Sequence, residues 1–201
     1  VTDGGMEGSP RIIRHPVDKD FTDTELALDL AWKEGCGRTV LFGGGGGRLD
    51  HLLALQALFQ RPTSPDRWYT GYDEVILIKG DFRAALPAGT VLSLFPLGQE
   101  PCRARSYGLK WPLDSLSWGR GDFGLSNVVT AGEIRIDPQE GRFLLVRQLS
   151  EGETICPLGL LAGWADQPRQ HLVLDLTGVG LEHLAERVQQ LRVALGAPVG
   201  D

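Results

Sequence analysis

Five consecutive glycines at positions 43–47, followed at once by Arg48-Leu49-Asp50-His51, constrain this chain more than any other stretch of its sequence. Residues without a Cβ reach left-handed backbone angles at no steric cost. They also let a main chain approach a ligand closely with its N–H groups turned toward an anion. Ahead of the run lies a short β-rich segment, residues 38–42 (RTVLF); behind it residues 52–59 (LLALQALF) predict a helix that ends before Pro62. Another helix precedes the strand. Thr22 is a good N-cap, and Glu25 three residues on completes a capping box. Leu26 and Leu30 follow one helical row with Ala27, Ala31 and Trp32 beside it, and Gly35 and Gly37 stop the helix. The order helix, strand, glycine loop, helix predicts an α/β layer with a parallel sheet, whose ligand sits at the carboxyl end of the strand.

Arg48 can clamp a phosphate through two parallel hydrogen bonds. Asp50 can hold a metal or a ribose hydroxyl, and His51 belongs to the residue type suited to proton transfer or merely caps and packs. The loop is not a Walker A motif, because no Gly-Lys-Ser/Thr follows. Nor is it the dinucleotide fingerprint, because Arg48 stands where the third glycine would be. A second group, Lys19-Asp20-Phe21-Thr22-Asp23, puts two carboxylates and a lysine at a helix N-terminus. Carboxylates and water suit Mg²⁺, which commonly bridges a protein to phosphates. Asp23 also offsets the helix dipole, a purely structural use worth about 0.3–1 kcal/mol.

After about residue 72 the texture changes. Residues 75–79, 91–95, 132–136 and 142–147 predict strands, and Pro87-Ala88-Gly89, Gly119-Arg120-Gly121-Asp122, Asp137-Pro138 and Glu140-Gly141 separate them as turns. An antiparallel sandwich or roll is expected, with no helix. Within it, Trp111 in residues 108–113 (GLKWPL) is either a core side chain or a stacking plate for an aromatic or cationic ring, and Ser126 and Asn127 could hydrogen-bond a ring's polar edge. Outside these regions, residues 11–17 predict a short edge strand limited by Pro16, and residues 171–176 (HLVLDL) another strand. Leu181, Leu184, Val188, Leu191 and Leu195 predict an amphipathic helix that packs on its own domain or on a second copy.

A net charge of −6 argues against binding a nucleic-acid backbone. No uncharged apolar run approaches the roughly 18 residues needed to span a bilayer. Cys36, Cys102 and Cys156 have neither zinc nor disulfide-framework spacing, which suits free thiols and a cytoplasmic location.

Taken in order, five blocks resemble the thiamine pyrophosphokinase family: residues 19–28 (KDFTDTELAL), 42–51 (FGGGGGRLDH), 93–97 (SLFPL), 108–113 (GLKWPL) and Ser126-Asn127. The resemblance covers roughly residues 11–147. It implies an α/β plus all-β fold: a parallel-sheet ATP-binding domain over residues 1–75, an antiparallel thiamine-binding domain over 76–150, and a C-terminal extension with a helix over 151–201. It implies transfer of the pyrophosphoryl group of ATP to the thiamine hydroxyl, giving thiamine diphosphate and AMP. Mg²⁺ would be required, and the enzyme would be a homodimer whose site lies between two subunits, with no nucleic-acid or membrane partner. Carried over position by position, Asp20 and Asp23 match the metal and phosphate side. Lys19, Asp20, Thr22, Gly44, Gly46, Gly47, Arg48 and His51 match the ATP side. Asp23, Arg48 and Asp50 are the catalytic candidates, and Trp111, Ser126 and Asn127 match the thiamine side. Two departures stand out. The family's G-D-F-D-S motif has no counterpart, and by family spacing would fall just upstream of Val1, leaving the parallel sheet short of strands. Leu55 occupies a position where the family commonly has Asn. The alternative expectation is a truncated, non-catalytic relative that binds thiamine or a nucleotide.

Overall fold

The structure, a computed structural model, describes residues 18, 20–46, 48–98, 100–150 and, as backbone, 171–176. The expected strand at 11–17 and helix through 181–195 lie outside the described residues, as do Lys19, Gly47 and Cys156. Among the described residues Cys36 is a free thiol, the buried Cys102 Sγ donates to the Leu97 carbonyl at 3.6 Å, and no helix is long and apolar enough to cross a membrane.

Helix α1 (Asp23–Lys33) begins with the expected capping box. The Glu25 N–H donates to the Thr22 hydroxyl at 3.2 Å, and the Thr22 N–H donates to a Glu25 carboxylate oxygen at 2.7 Å. Its buried face is centred on Leu28 and Ala31, one step round from the expected row. Strand β1 (Arg38–Gly43) follows, then α2 (Leu49–Leu58), which starts three residues earlier than the sequence predicts. Asp50 and His51 therefore belong to its first turn. Leu55 is 7% exposed and packs among Leu41, Leu58 and Phe59, so this position serves the core.

Three-residue β2 (Arg67–Tyr69) runs parallel to β1, and β3 (Asp73–Ile78) returns antiparallel beside it. Then come β4 (Phe82–Ala85), β5 (Val91–Leu97), β6 (Arg103–Tyr107), β7 (Gly124–Val128), β8 (Glu133–Glu140), β9 (Arg142–Gln148) and β10 (His171–Leu176). Seven strands form one mixed sheet in the order β10-β1-β2-β3-β9-β5-β7, and β4-β8-β6 form a small antiparallel sheet. The fold is thus mostly β with two helices. Strand β10 pairs parallel to β1 along its whole length, from Arg38 opposite His171 to Gly43 opposite Leu176, and supplies the neighbour that the sequence left missing.

Asp137-Pro138, expected as a turn, lies inside β8. The strand carries the proline because the pairing with β6 bulges between Arg103 and Ala104 at that point, and the turn comes at Gly141. Strands β2, β4, β6 and β7 were not foreseen. They are three to five residues long, and β4, β6 and β7 carry exposed positions that dilute any apolar signal.

The core is double. On one face of the large sheet Val75, Leu77 and Leu144 pack with Leu28, Leu55 and Phe59 of the helical layer. On the other, Ile76, Ile78, Phe143 and Leu145 pack with Ile134, Ile136 and Trp118 of the small-sheet layer. Burial of both faces explains why β3 reads as the continuous apolar run Val75-Ile76-Leu77-Ile78.

Pairing register lines up one transverse row across the sheet: Phe42, Tyr69, Glu74, Arg147, Leu92 and Asn127. At its centre Glu74, 3% exposed, accepts from the Tyr69 hydroxyl at 2.6 Å, from Arg147 Nε at 2.5 Å, and from Arg67. Burial, reinforced by the hydrogen bond to Glu74, pushes the Tyr69 phenol up to about 12. A phenol whose folded-state value lies above the unfolded value of about 10 adds stability below that pH and loses it as pH rises toward 12. Ultraviolet titration should therefore show a tyrosine component ionising at about 12. Stability should fall across that window, and Tyr69→Phe should remove the late-titrating component.

Candidate active site

The glycine run begins where β1 ends. Gly43 and Gly44 have φ of 80° and 69°, left-handed values that side chains disfavour. Strand β2 props the loop from the side. The Trp68 indole N–H donates to the Gly43 carbonyl at 2.7 Å. A Cβ at Gly45 would sink into the Thr70 side chain, so glycine is demanded there by contact. Tyr69 stacks on Phe42, immediately before the loop, at 5.1 Å between ring centres.

Beyond the loop, Arg48 and Asp50 form an exposed two-point ion pair, with Arg48 Nε donating to Asp50 Oδ1 at 3.1 Å. Asp50 also accepts from the His51 N–H at 3.1 Å. The hydrogen bonds from Arg48 hold the Asp50 carboxyl below the usual carboxylate range. That keeps it charged and makes it a weak proton acceptor, better suited to aiming the guanidinium than to acting as a base.

The acidic group at α1 stands apart from this pair. Asp20 and Asp23 are exposed. The Thr22 hydroxyl is spent on the capping box. Arg61, beyond the carboxyl end of α2, donates to Glu25 at 2.6 Å, and the Thr63 hydroxyl donates to Asp29 at 2.9 Å. The first turns of α1 therefore lie beside the far end of α2, whose last residue, Leu58, is about 12 Å along the axis from Asp50. Among the described residues no three His, Cys, Asp or Glu side chains converge on one metal position. Mg²⁺ asks for less, since one or two carboxylates suffice when phosphate and water complete the shell. Asp20 and Asp23 are donors of that type.

Trp111 is not a core side chain. It is 52% exposed, with Lys110 Nζ 4.5 Å from its ring centre, whereas Trp118 and Trp68 fill the cores. Its backbone is clasped by buried Asn127. The Asn127 amide nitrogen donates to the Trp111 carbonyl at 2.7 Å, and the Trp111 N–H donates to the Asn127 amide oxygen at 3.2 Å. Next to it Ser126 adopts φ 59°, a left-handed conformation rare for a side-chain-bearing residue and often found at functional sites. Both Asn127 side-chain groups are thus committed to positioning Trp111.

The transverse row measures the distance between the two halves. Phe42, beside the glycine loop, and Asn127, beneath Trp111, are five strand steps apart, roughly 24 Å at about 4.8 Å per strand. Sequence reasoning missed Trp68, Tyr69 and Thr70, the props of the loop, because nothing in the string RWYT marks its contact with the glycines.

A glycine loop at the carboxyl end of a parallel strand and an antiparallel layer carrying a presented tryptophan share one mixed sheet, in a mostly β protein with two helices. Two family models match it: thiamin pyrophosphokinase, catalytic domain, over residues 6–66, and thiamin pyrophosphokinase, vitamin B1 binding domain, over residues 78–142. Together they cover more than half of the chain, which belongs to the thiamin pyrophosphokinase family. Among solved structures, thiamine pyrophosphokinase from Bacillus subtilis is similar in fold, with TM-score 0.57 and 23% identity over 66% of this chain and 65% of that one. Thiamin pyrophosphokinase from Geobacillus thermodenitrificans has TM-score 0.54 and 26% identity over 67% and 65%. A thiamin pyrophosphokinase family protein from Enterococcus faecalis has TM-score 0.59 and 19% identity over 70% of each chain. This chain spans about 65% of the length of the first two. No curated protein sequence matches it.

The contact at Gly45 is testable. Gly45→Ala should lower the thermal midpoint, and Thr70→Gly combined with it should recover part of the loss. A double-mutant cycle on unfolding free energy should give a favourable coupling of about 0.5–3 kcal/mol; strict additivity would exclude the contact.

Proposed function

We propose that this protein transfers the pyrophosphoryl group of ATP to the hydroxyl of thiamine, giving thiamine diphosphate and AMP. The observation that carries this reading is the glycine loop with its Arg48–Asp50 pair, in a chain matched by both family domains. Residues 1–75 serve the nucleotide, residues 76–150 the vitamin, and residues 151–201 form an extension. The reaction forms one O–P bond to the thiamine oxygen and breaks the bridge between the α and β phosphates, so AMP leaves. Such a transfer asks the protein mainly for positioning and charge neutralisation.

Backbone N–H groups of Gly44 and Gly46 cradle the phosphates with His51 nearby, while Lys19, Thr22 and Gly47 are assigned to the ATP side on the family resemblance alone. Arg48, held in aim by Asp50, meets charge on the transferred group. Asp20 and Asp23 are the carboxylates that would hold Mg²⁺, which when bound neutralises phosphate charge. Trp111 offers a ring face to the cationic vitamin, with Ser126 and Asn127 at its edge. Within one chain the loop that holds the phosphates and the tryptophan that holds the vitamin lie roughly 24 Å apart, farther than a thiamine molecule attacking the transferred phosphate reaches, so the working site pairs the loop of one protomer with Trp111 of another in a cytoplasmic homodimer.

One observation favours a second reading, a thiamine- or nucleotide-binding relative without catalysis: the acidic start of α1 lies beside the far end of α2, apart from the Arg48–Asp50 pair. AMP release separates the two. Release that requires both thiamine and Mg²⁺ is expected for the enzyme, and thiamine binding without release for the alternative.

Asp23→Asn should cut kcat by about 10²-fold or more with the thermal midpoint nearly unchanged; full activity would remove Asp23 from the reaction. Arg48→Ala and Trp111→Ala should each be inactive alone. Mixed, they should regain roughly a quarter of wild-type activity, because half the dimers then carry one intact site. No recovery on mixing would place both halves of the site within one chain.

A further inference from the structure

Where the small sheet ends at its edge strand β4, strands β2 and β3 emerge from beneath it and leave a cleft of about 290 Å³. One end of the cleft is charged. Glu74 has both carboxylate oxygens taken, Oε1 by Arg67 and the Tyr69 hydroxyl and Oε2 by Arg147. Arg67 spends only Nη1 on these contacts, donating to Glu74 and to the Tyr69 hydroxyl at 3.2 Å. Its Nε and Nη2, which together form the edge of a guanidinium that grips two oxygens at once, have no partner among the described residues. The Arg67 side chain is one-third exposed and lines the cleft. The other walls are built mainly from Ile76, Phe82 and Leu145, with Arg83 of β4, held by Asp81, at the margin.

We propose that this cleft binds a small organic anion, a carboxylate or phosphate on a compact apolar body, gripped by the open edge of Arg67 with the body lying against Phe82 and Leu145. Two arguments support an anion. The single carboxylate present is saturated, so it cannot also satisfy the remaining Arg67 donors, and half-buried donors left unmatched are costly. The Tyr69 hydroxyl already donates to Glu74, so the polar end offers a newcomer N–H donors. A cation would meet three guanidiniums, those of Arg67, Arg83 and Arg147, and find no free oxygen on Glu74. An apolar body is called for because the volume lies near the lower bound of small-ligand pockets, about 300 Å³, and away from the Glu74 cluster the lining is apolar except for Arg83, which is largely exposed and paired with Asp81. Neither the glycine loop nor Trp111 lines the cleft, so the site stands whether or not the chain is a pyrophosphokinase.

Titration calorimetry of the full chain with benzoate, phenyl phosphate and neutral benzamide tests the proposal. Benzoate or phenyl phosphate should saturate with a Kd in about the millimolar range or tighter, and benzamide should bind at least about 10-fold more weakly. The two anions tell carboxylate from phosphate preference. Arg67→Gln should weaken the preferred anion by about 10-fold or more, and Arg48→Ala should leave it unchanged, which separates this cleft from the nucleotide loop. Should Arg67→Gln unfold the chain, Ala84→Leu decides, because it fills the cleft from β4 and leaves every charge in place; it should abolish binding. Wild-type protein that binds neither anion, benzamide that binds as well as benzoate, or anion binding that survives Ala84→Leu each overturn the proposal.

Discussion

Alternate residues of β3 and β9 enter two different cores. Val75, Leu77 and Leu144 face the helices, while Ile76, Ile78, Phe143 and Leu145 face the small sheet. A slip of one residue would exchange the two sets and lodge Glu74 and Arg147 in the helical core, so register is fixed with little tolerance. From that register follows the row that runs from Phe42 to Asn127, and with it the separation of the glycine loop from the Trp111 segment. The outer strands need little intrinsic preference of their own. Three-residue β2 is held because β1 and β3 template it on both sides.

The middle of that row is polar where it need not be. A buried carboxylate facing guanidiniums from two other strands is costly to desolvate, and an apolar trio of similar volume would often be as stable or more so. What the Glu74 cluster adds is directionality. It ties β2, β3 and β9 at one level, beside Phe42 and the loop, through hydrogen bonds that no slipped register satisfies. It also leaves donors facing the cleft under β4, which a hydrocarbon packing would not.

Legibility in the sequence followed the range of the interaction that fixes each feature. Local chemistry was readable: the Thr22–Glu25 capping box, the strand entering the glycine run, and 171–176, whose bounds match β10. The chemistry-bearing positions Arg48, Asp50, Trp111 and Asn127 were also visible, since their residue types advertise what they can do. Features that depend on pairing were hidden. Arg67, Glu74 and Arg147 meet only because three strands align, 73 positions separating the last two. Pro138 reads as a breaker until the bulge opposite it is known. Nothing local tells exposed Trp111 from core Trp118 and Trp68; that is decided by which layer covers each.

Strand β10 shows that family match and folding unit need not coincide. It lies outside both matched ranges, 6–66 and 78–142, yet pairs with every residue of β1. Strand β1 carries the glycine loop, and without β10 its outer N–H and C=O groups would form an open edge beside the loop. In a parallel pair the carboxyl ends fall together, so Asp175, register partner of Phe42, and Leu176, partner of Gly43, bring the backbone of β10 to the end where the loop departs. A segment remote in sequence thereby helps to build the end of the sheet at which α/β proteins bind their ligands. Strand β10 is then part of the platform under the loop, and a protein cut after β9 would present the same motifs on an unfinished edge.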